Sequence, residues 1–146
     1  MTYKRMLGQY NKLNVETAGR LDLVLMCYEK AIESLWQARK SYEQGQYEQK
    51  ARKLQRGLRI IQELQGCLNF EKGGQIARNL DAIYTYLVRR LLEGDVKRDL
   101  TAFDEAVKIL TDLKDSWRGI ASENQAKEAI PGYDAQSETH LQQVAA

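Results

Sequence analysis

The chain has 146 residues, of which 43% are hydrophobic and 29% are charged, and its formal net charge is +2. This length suits one domain with a single core. No apolar run approaches the roughly 20 residues that a membrane-spanning helix needs, and the net charge is too weak to argue for nucleic acid. We therefore expect no membrane insertion and no nucleic-acid partner.

The N-terminal sequence MTYKRMLGQYNK has no unbroken apolar stretch of the kind found in signal peptides. The two cysteines, Cys27 and Cys67, do not form the CxxC spacing of a metal or redox site. We expect both to be reduced, buried thiols of a cytoplasmic protein.

Residues 1–16 are too short to be a full member of a helical bundle, yet they are rich in apolar groups. We expect this segment to act as an N-terminal plug that covers an apolar groove. The residues that would do so are Met6, Leu7, Tyr10 and Leu13.

Residues 17–125 carry apolar residues at intervals of three and four in four long blocks, and strand-like alternation is missing. The blocks cover 21–42, 47–68, 76–91 and 100–117. Short connections between long helices favour antiparallel neighbours. The pattern therefore predicts an all-α, antiparallel up-down four-helix bundle. Its candidate N-caps are Thr17 and Asp99, and its candidate helix stops are Gly45 and Gly94.

The adjacent glycines Gly73 and Gly74 lie between the second and third blocks. A phosphate-binding loop would need a preceding strand, more glycines and a Lys-Ser/Thr pair. None of these features is present in the sequence. The pair therefore predicts a corner between two helices that uses the freedom of glycine at positive φ.

Residues 126–146 are polar and contain the only proline, Pro131. This composition predicts a flexible polar tail, with Ile130 and Tyr133 as the residues that could dock on the bundle. The only histidine, His140, lies here and is expected to be solvated rather than a metal ligand.

The sequence offers no constellation of catalytic residues. A di-iron bundle needs Glu-x-x-His on two helices, which one histidine cannot provide, and a cysteine nucleophile needs a basic partner. We therefore expect neither an enzyme nor a cofactor.

The remaining indication of function is a set of apolar residues that the core of the bundle does not require. On a helical wheel they lie off the main stripe of their helices, and Gly57 among them would let a partner approach the backbone. They could simply pack within the core, or they could form a groove for an amphipathic helix. These candidate partner-binding residues are Leu23, Met26, Gly57, Ile60, Leu64, Ile109 and Leu113.

Three stretches carry a family likeness. EKGGQIARNLDAIYTYLVRRL at 71–91 is the most specific, VETAGRLDLVLMCYEKAI covers 15–32, and LKDSW covers 113–117. From residue 10 to about 118, the chain resembles the FliS family of flagellar secretion chaperones. It departs from that family at CYEK (27–30), where Leu-Tyr-Asp/Glu-Gly is usual, and at GRL (19–21), which replaces a Ser-Pro-Glu-type helix start.

This resemblance implies a cytoplasmic, ATP-independent chaperone. Such a protein binds the disordered C-terminal segment of flagellin, prevents its premature polymerisation and delivers it to the flagellar type III export apparatus. It also implies contacts with export-apparatus components or regulatory proteins. The family has a tyrosine at the position of Tyr10. The resemblance therefore implies that Tyr10 belongs to the N-terminal plug and to the partner-binding residues.

Two rival interpretations stay open at the level of sequence. The first is a generic helical-bundle adaptor that binds another amphipathic helix. The second is a metal or redox bundle, which the missing histidines argue against.

Overall fold

The computed structural model describes residues 19–123 and 132–146. Its five helices are α1 (Arg20–Glu43), α2 (Tyr47–Gly66), α3 (Phe70–Lys97), α4 (Thr101–Glu123) and α5 (Ala135–Ala145). Within these two ranges there is no β-strand, which confirms the predicted all-α class. The expected N-terminal plug, with Met6, Leu7, Tyr10 and Leu13, lies outside the described residues, as does Thr17.

Helices α1 to α4 enclose one apolar core. Helix α1 packs against α2 and α4, and α3 packs against the same two helices. Each of the three connections between them is three residues long, at 44–46, 67–69 and 98–100. All four helices place large side chains in the fully buried centre, including Tyr28, Leu35, Ile61, Tyr84, Leu87, Phe103 and Leu110.

Two of the predicted helix boundaries are confirmed, and one is wrong. Helix α1 ends just before Gly45, which has a φ of +72°, and the Asp99 side chain accepts the Thr101 N–H at 3.0 Å at the start of α4. Helix α3, however, runs through Gly94 to Lys97. A Cβ at Gly94 would lie 2.3 Å from the Ala102 Cβ, so this glycine permits close contact between α3 and α4.

The predicted corner at the glycine pair is found as a kink one turn inside α3, which divides the first turn from the long remainder of the helix. Asn69 caps α3 by accepting the Lys72 N–H at 3.0 Å. Gly74 then has φ +52° and ψ −128°, which bends the helix, as expected for a glycine at positive φ. Gly73 serves another purpose, because a Cβ there would lie 2.7 Å from the Cα of Gly132.

The described part of the tail differs from the predicted flexible polar segment. Residues 135–145 form α5, which packs against α1 and α2. Its Leu141 and Ala145 are fully buried. Asp134 caps the helix by accepting the N–H groups of Gln136 at 3.1 Å and Ser137 at 3.2 Å. Two apolar residues four positions apart and a good N-cap are enough to order this short helix on the bundle.

Candidate functional site

The α1–α2 face is the surface of α1 and α2 on which α5 lies, and several predicted partner-binding residues belong to it. Leu23 and Leu64 are 0% exposed and Ile60 is 5% exposed. In this structure they are therefore buried rather than exposed in an open groove, and their role in binding a partner stays a prediction. Helix α5, which was not expected from the sequence, packs on this face.

Gly57 was expected to let a partner approach the backbone, and in this structure its neighbour is α1 of the same chain. A Cβ at Gly57 would lie 2.7 Å from Leu35 Cδ2 of α1. The glycine thus allows α1 and α2 to pack closely. The close approach is made within the bundle itself.

The remaining predicted residues are only partly buried. Met26, Ile109 and Leu113 pack against the core at its edge. Ile109 and Leu113 belong to α4, whereas α5 packs on α1 and α2. The structure therefore does not bring all seven predicted residues into one groove.

The centre of the α1–α2 face is apolar. Cys27 lies one helical turn after Leu23, and its S–H donates to the Leu141 carbonyl of α5 at 3.9 Å. Burial raises the pKa of Cys27 to about 12 and that of Cys67 to about 11. Both thiols are free and buried, as predicted, and they stay protonated at neutral pH, where a thiol is a poor nucleophile.

Polar contacts surround this apolar centre. Arg20 pairs with Glu138 at 3.7 Å, and His140 contacts Glu63. At the far end of α5, Lys30 Nζ donates to the Ala146 carbonyl at 3.0 Å. Ion pairs on a solvated rim contribute at most about 1 kcal/mol each. These ion pairs therefore fix the orientation of α5 and contribute little to the free energy of its docking. His140, expected to be a solvated tail residue, has a protein partner here.

The start of α5 is anchored at the corner between α2 and α3. The Ser137 hydroxyl donates to the Cys67 carbonyl at 2.7 Å, and the Asn69 side-chain amide donates to Asp134 at 2.6 Å. The Asn69 backbone N–H donates to the Gly132 carbonyl at 2.7 Å. These contacts fix the point at which the chain enters the α1–α2 face.

Tyr133 reaches from this corner into the core, as the sequence allowed. Its hydroxyl donates to the Leu64 carbonyl at 2.9 Å. Since a phenol carries one proton, Tyr133 accepts from Tyr84 at 2.8 Å. Tyr84 in turn accepts from the Tyr28 hydroxyl. A buried, oriented row of hydroxyl groups therefore connects α1, α3 and the entry to α5.

A second apolar surface lies open between α2 and α3, in a cleft of about 380 Å³. Leu92 is 49% exposed there, with Val88 beside it and Gln62 and Gln65 on the opposite wall. Helical-wheel reasoning missed this cleft because Leu92 lies just beyond the third apolar block at 76–91 and was not singled out.

Leu141 and Ala145 were not expected to occupy the α1–α2 face. The available signal was Asp134 at a capping position, followed by apolar residues four positions apart at 141 and 145.

In the described ranges, no group of three or more His, Cys, Asp or Glu side chains is placed to hold a metal ion. Of the helices described, none is long and apolar enough to cross a membrane.

Comparison with known proteins gives one consistent result. Residues 3–124 match the family model described as flagellar protein FliS. The chain is 33% identical over 121 residues to the flagellar secretion chaperone FliS of Vibrio cholerae, covering 80% of this chain and 89% of that protein. The namesake from Salmonella typhimurium is 33% identical over 117 residues, covering 77% and 87%. That from Bacillus subtilis is 30% identical over 125 residues, covering 85% and 91%.

Proposed function

The chain belongs to the FliS family of flagellar proteins, and we propose that it is a secretion chaperone whose cargo is flagellin. In this proposal it binds the disordered C-terminal segment of flagellin in the cytoplasm. It thereby prevents premature polymerisation and delivers the subunit to the flagellar type III export apparatus. The family match and the names of the relatives support the chaperone role.

One structural observation supports a helical cargo. The α1–α2 face already holds an amphipathic helix, α5, through the buried side chains of Leu141 and Ala145 and a polar rim. A surface that orders one such helix suits another of the same chemistry, which is the helix-in-groove mode of recognition. In this proposal the disordered C-terminal segment of flagellin folds into a helix of this kind when it binds.

Burial of the cargo segment would be enough to block assembly. An apolar stripe held against the bundle cannot pair with a second flagellin. Ordering a disordered segment costs free energy that offsets part of the contact energy, so the complex is specific and still releasable. This mode of action needs no chemical step, and the protonated state of the buried thiols Cys27 and Cys67 agrees with a role by binding alone.

The proposal treats α1 to α4 as an antiparallel up-down bundle, which the three-residue connections support. It also keeps the N-terminal plug, with Tyr10 beside Met6, Leu7 and Leu13, as a cover for apolar surface when cargo is absent. Export-apparatus components or regulatory proteins would be further partners.

Calorimetric titration tests the proposal. We expect the full chain to bind a fragment comprising the flagellin C-terminal segment, with a gain in helical content by circular dichroism. An unrelated amphipathic helix of equal length and charge is the control, and it should bind at least about tenfold more weakly, a difference of about 1.4 kcal/mol. Equal affinity for both would instead support a generic helical adaptor, and failure to bind the fragment would contradict the proposal.

A further inference from the structure

Helix α5 is held to the α1–α2 face by few apolar contacts. Leu141 and Ala145 are its fully buried apolar residues, and Val144 is partly buried. Most of its other positions are polar, and Gln136, Thr139, His140 and Gln143 are exposed. A helix of 11 residues is shorter than the roughly 12 to 15 residues needed for marginal stability in isolation. Helix α5 therefore depends on the face for its structure and contributes little apolar area in return.

The fit between α5 and α2 is incomplete. A cleft of about 260 Å³ separates them, lined by Ile60 on the α2 side and by His140 and Val144 on the α5 side. Ile60 keeps a small exposed fraction at this point. A helix with larger apolar side chains would fill the cleft and bury more of the surface of α2.

The charges around the cleft also suit a different occupant. Arg56 and Arg59 of α2 line the cleft. Lys30 of α1 lies nearby: burial lowers the pKa of Lys30, and the positive charge of Arg56 lowers it further. Glu63 of α2 also lines the cleft, where it contacts His140 of α5. Ala146 lies at its edge and accepts from Lys30 at 3.0 Å. The two arginines still outnumber the one acidic side chain in the lining. An acidic side chain in an occupying helix would meet favourable charge here.

The face and its cover also differ in their relation to the family. The whole α1–α2 face lies within residues 3–124, which match the FliS family model, whereas α5 begins at Ala135, beyond that match. The surface is thus a part of the family fold, and the helix that covers it lies outside the shared portion.

We propose that α5 is an exchangeable occupant of the α1–α2 face, and that the amphipathic cargo helix binds by displacing it. The inference rests on the proposed function for the identity of that helix. The favoured guest has large apolar residues where α5 has Leu141 and Ala145, and an acidic group facing Lys30, Arg56 and Arg59. Because α5 occupies the face in the free protein, the apparent affinity for cargo falls in proportion to the fraction of open molecules.

Hydrogen exchange of the full chain, followed by mass spectrometry, tests this inference without any variant. In the free protein, amides of 135–145 should exchange at least about tenfold faster than those in the centre of α1, because α5 opens without unfolding the bundle. On addition of the flagellin C-terminal fragment, exchange in 135–145 should rise further while exchange in α1 and α2 slows.

A matched pair of variants adds an affinity measurement. Leu141→Gln weakens the docking of α5 and should tighten binding of the fragment about tenfold, whereas Thr139→Gln, at an exposed position of the same helix, should leave it unchanged. Circular dichroism establishes that α1 to α4 remain folded in both variants.

The outcomes separate the two claims. If the fragment binds and exchange in 135–145 does not rise, the inference is overturned and the proposed function stands. If the fragment fails to bind, the proposed function falls, and the free-protein exchange still decides whether α5 opens. If 135–145 exchanges only when α1 does, α5 is a permanent member of the core and the inference is wrong.

Discussion

The hydroxyl oxygens of Tyr84 and Tyr133 lie 2.8 Å apart, and this hydrogen bond joins the middle of α3 to the segment that leads into α5. Both rings are buried, so water cannot replace either partner. The bundle therefore interacts with its C-terminal segment through polar groups in its interior as well as through apolar packing.

Replacing Tyr84 with Phe tests the buried row of hydroxyl groups. The change leaves the Tyr28 hydroxyl without its acceptor and Tyr133 without its donor, so we expect the free energy of unfolding to fall by about 1–3 kcal/mol. Urea denaturation measures it. Tyr47→Phe is the control, because Tyr47 is 51% exposed, and it should change stability by no more than about 0.5 kcal/mol. Equal effects of the two changes would argue against the row.

Gly94→Ala tests the close contact between α3 and α4. The new methyl group would lie 2.3 Å from the Ala102 Cβ and 3.1 Å from the Asp99 carbonyl oxygen, so the helices must shift. We expect a loss of about 1–3 kcal/mol in thermal or urea denaturation.

Gly66→Ala is the matched control for that change. It also adds a methyl group to a helical glycine, but nothing lies within 4 Å of the new atom. Stability should stay the same or rise by up to about 1 kcal/mol. A similar loss at both positions would show that crowding at Gly94 is not the cause.

Stability should fall in alkaline solution. Burial raises the pKa of Cys27 from 9.0 to about 12 and that of Tyr28 from 10.0 to about 12. The unfolded chain therefore releases these protons first as pH rises. Their stabilising contribution is complete below pH 9 and is lost as pH approaches 12.

Urea midpoints at about pH 8 and about pH 10.5 measure this effect, with a slope of up to about 1.4 kcal/mol per pH unit for each group. Cys27→Ala should make the decline shallower. A midpoint that does not change with pH would contradict the expectation.

Asp134→Ala tests the N-cap of α5. Its hydrogen bond from Asn69, followed by those from Ser137, holds the pKa of Asp134 below the usual 3.8. The lowered pKa means that the capping contribution is present above pH 3.8 and is lost as pH falls below it. The variant should show faster hydrogen exchange in 135–145 at neutral pH. Asp115→Ala, at an exposed carboxylate, should not, and equal exchange in both would mean that Asp134 is not an effective cap.

Long apolar blocks made α1 to α4 predictable. Residues such as Leu35, Leu87 and Leu110 recur at helical spacing and are buried where that spacing places them. Gly94 misled the boundary prediction because a glycine near the end of a helix has two uses, as a stop and as a point of close contact, and only the neighbouring helix decides between them.

The candidate site was harder to predict. The helical wheel places Ile60 and Leu64 on the shoulder of the core stripe of α2, yet both are buried members of the core cluster, and the wheel cannot say what covers them. Helix α5 has only Leu141 and Ala145 fully buried among polar neighbours, and its order depends on contacts with residues far away in sequence. The polar composition of 126–146 therefore predicted a flexible tail. It could not show that 135–145 form a helix, because that helix is stabilised by contacts with α1 and α2.

Helix α5 and the α1–α2 face that it covers belong to the same chain. Helix α5 is joined to α4 by the chain itself, through residues 124–134, so its local concentration near the face does not depend on the amount of protein in the cell. Dilution or overexpression leaves that competition unchanged. A guest helix therefore displaces α5 only through its own affinity and concentration. The guest concentration needed for half-occupancy of the face is a fixed property of each molecule.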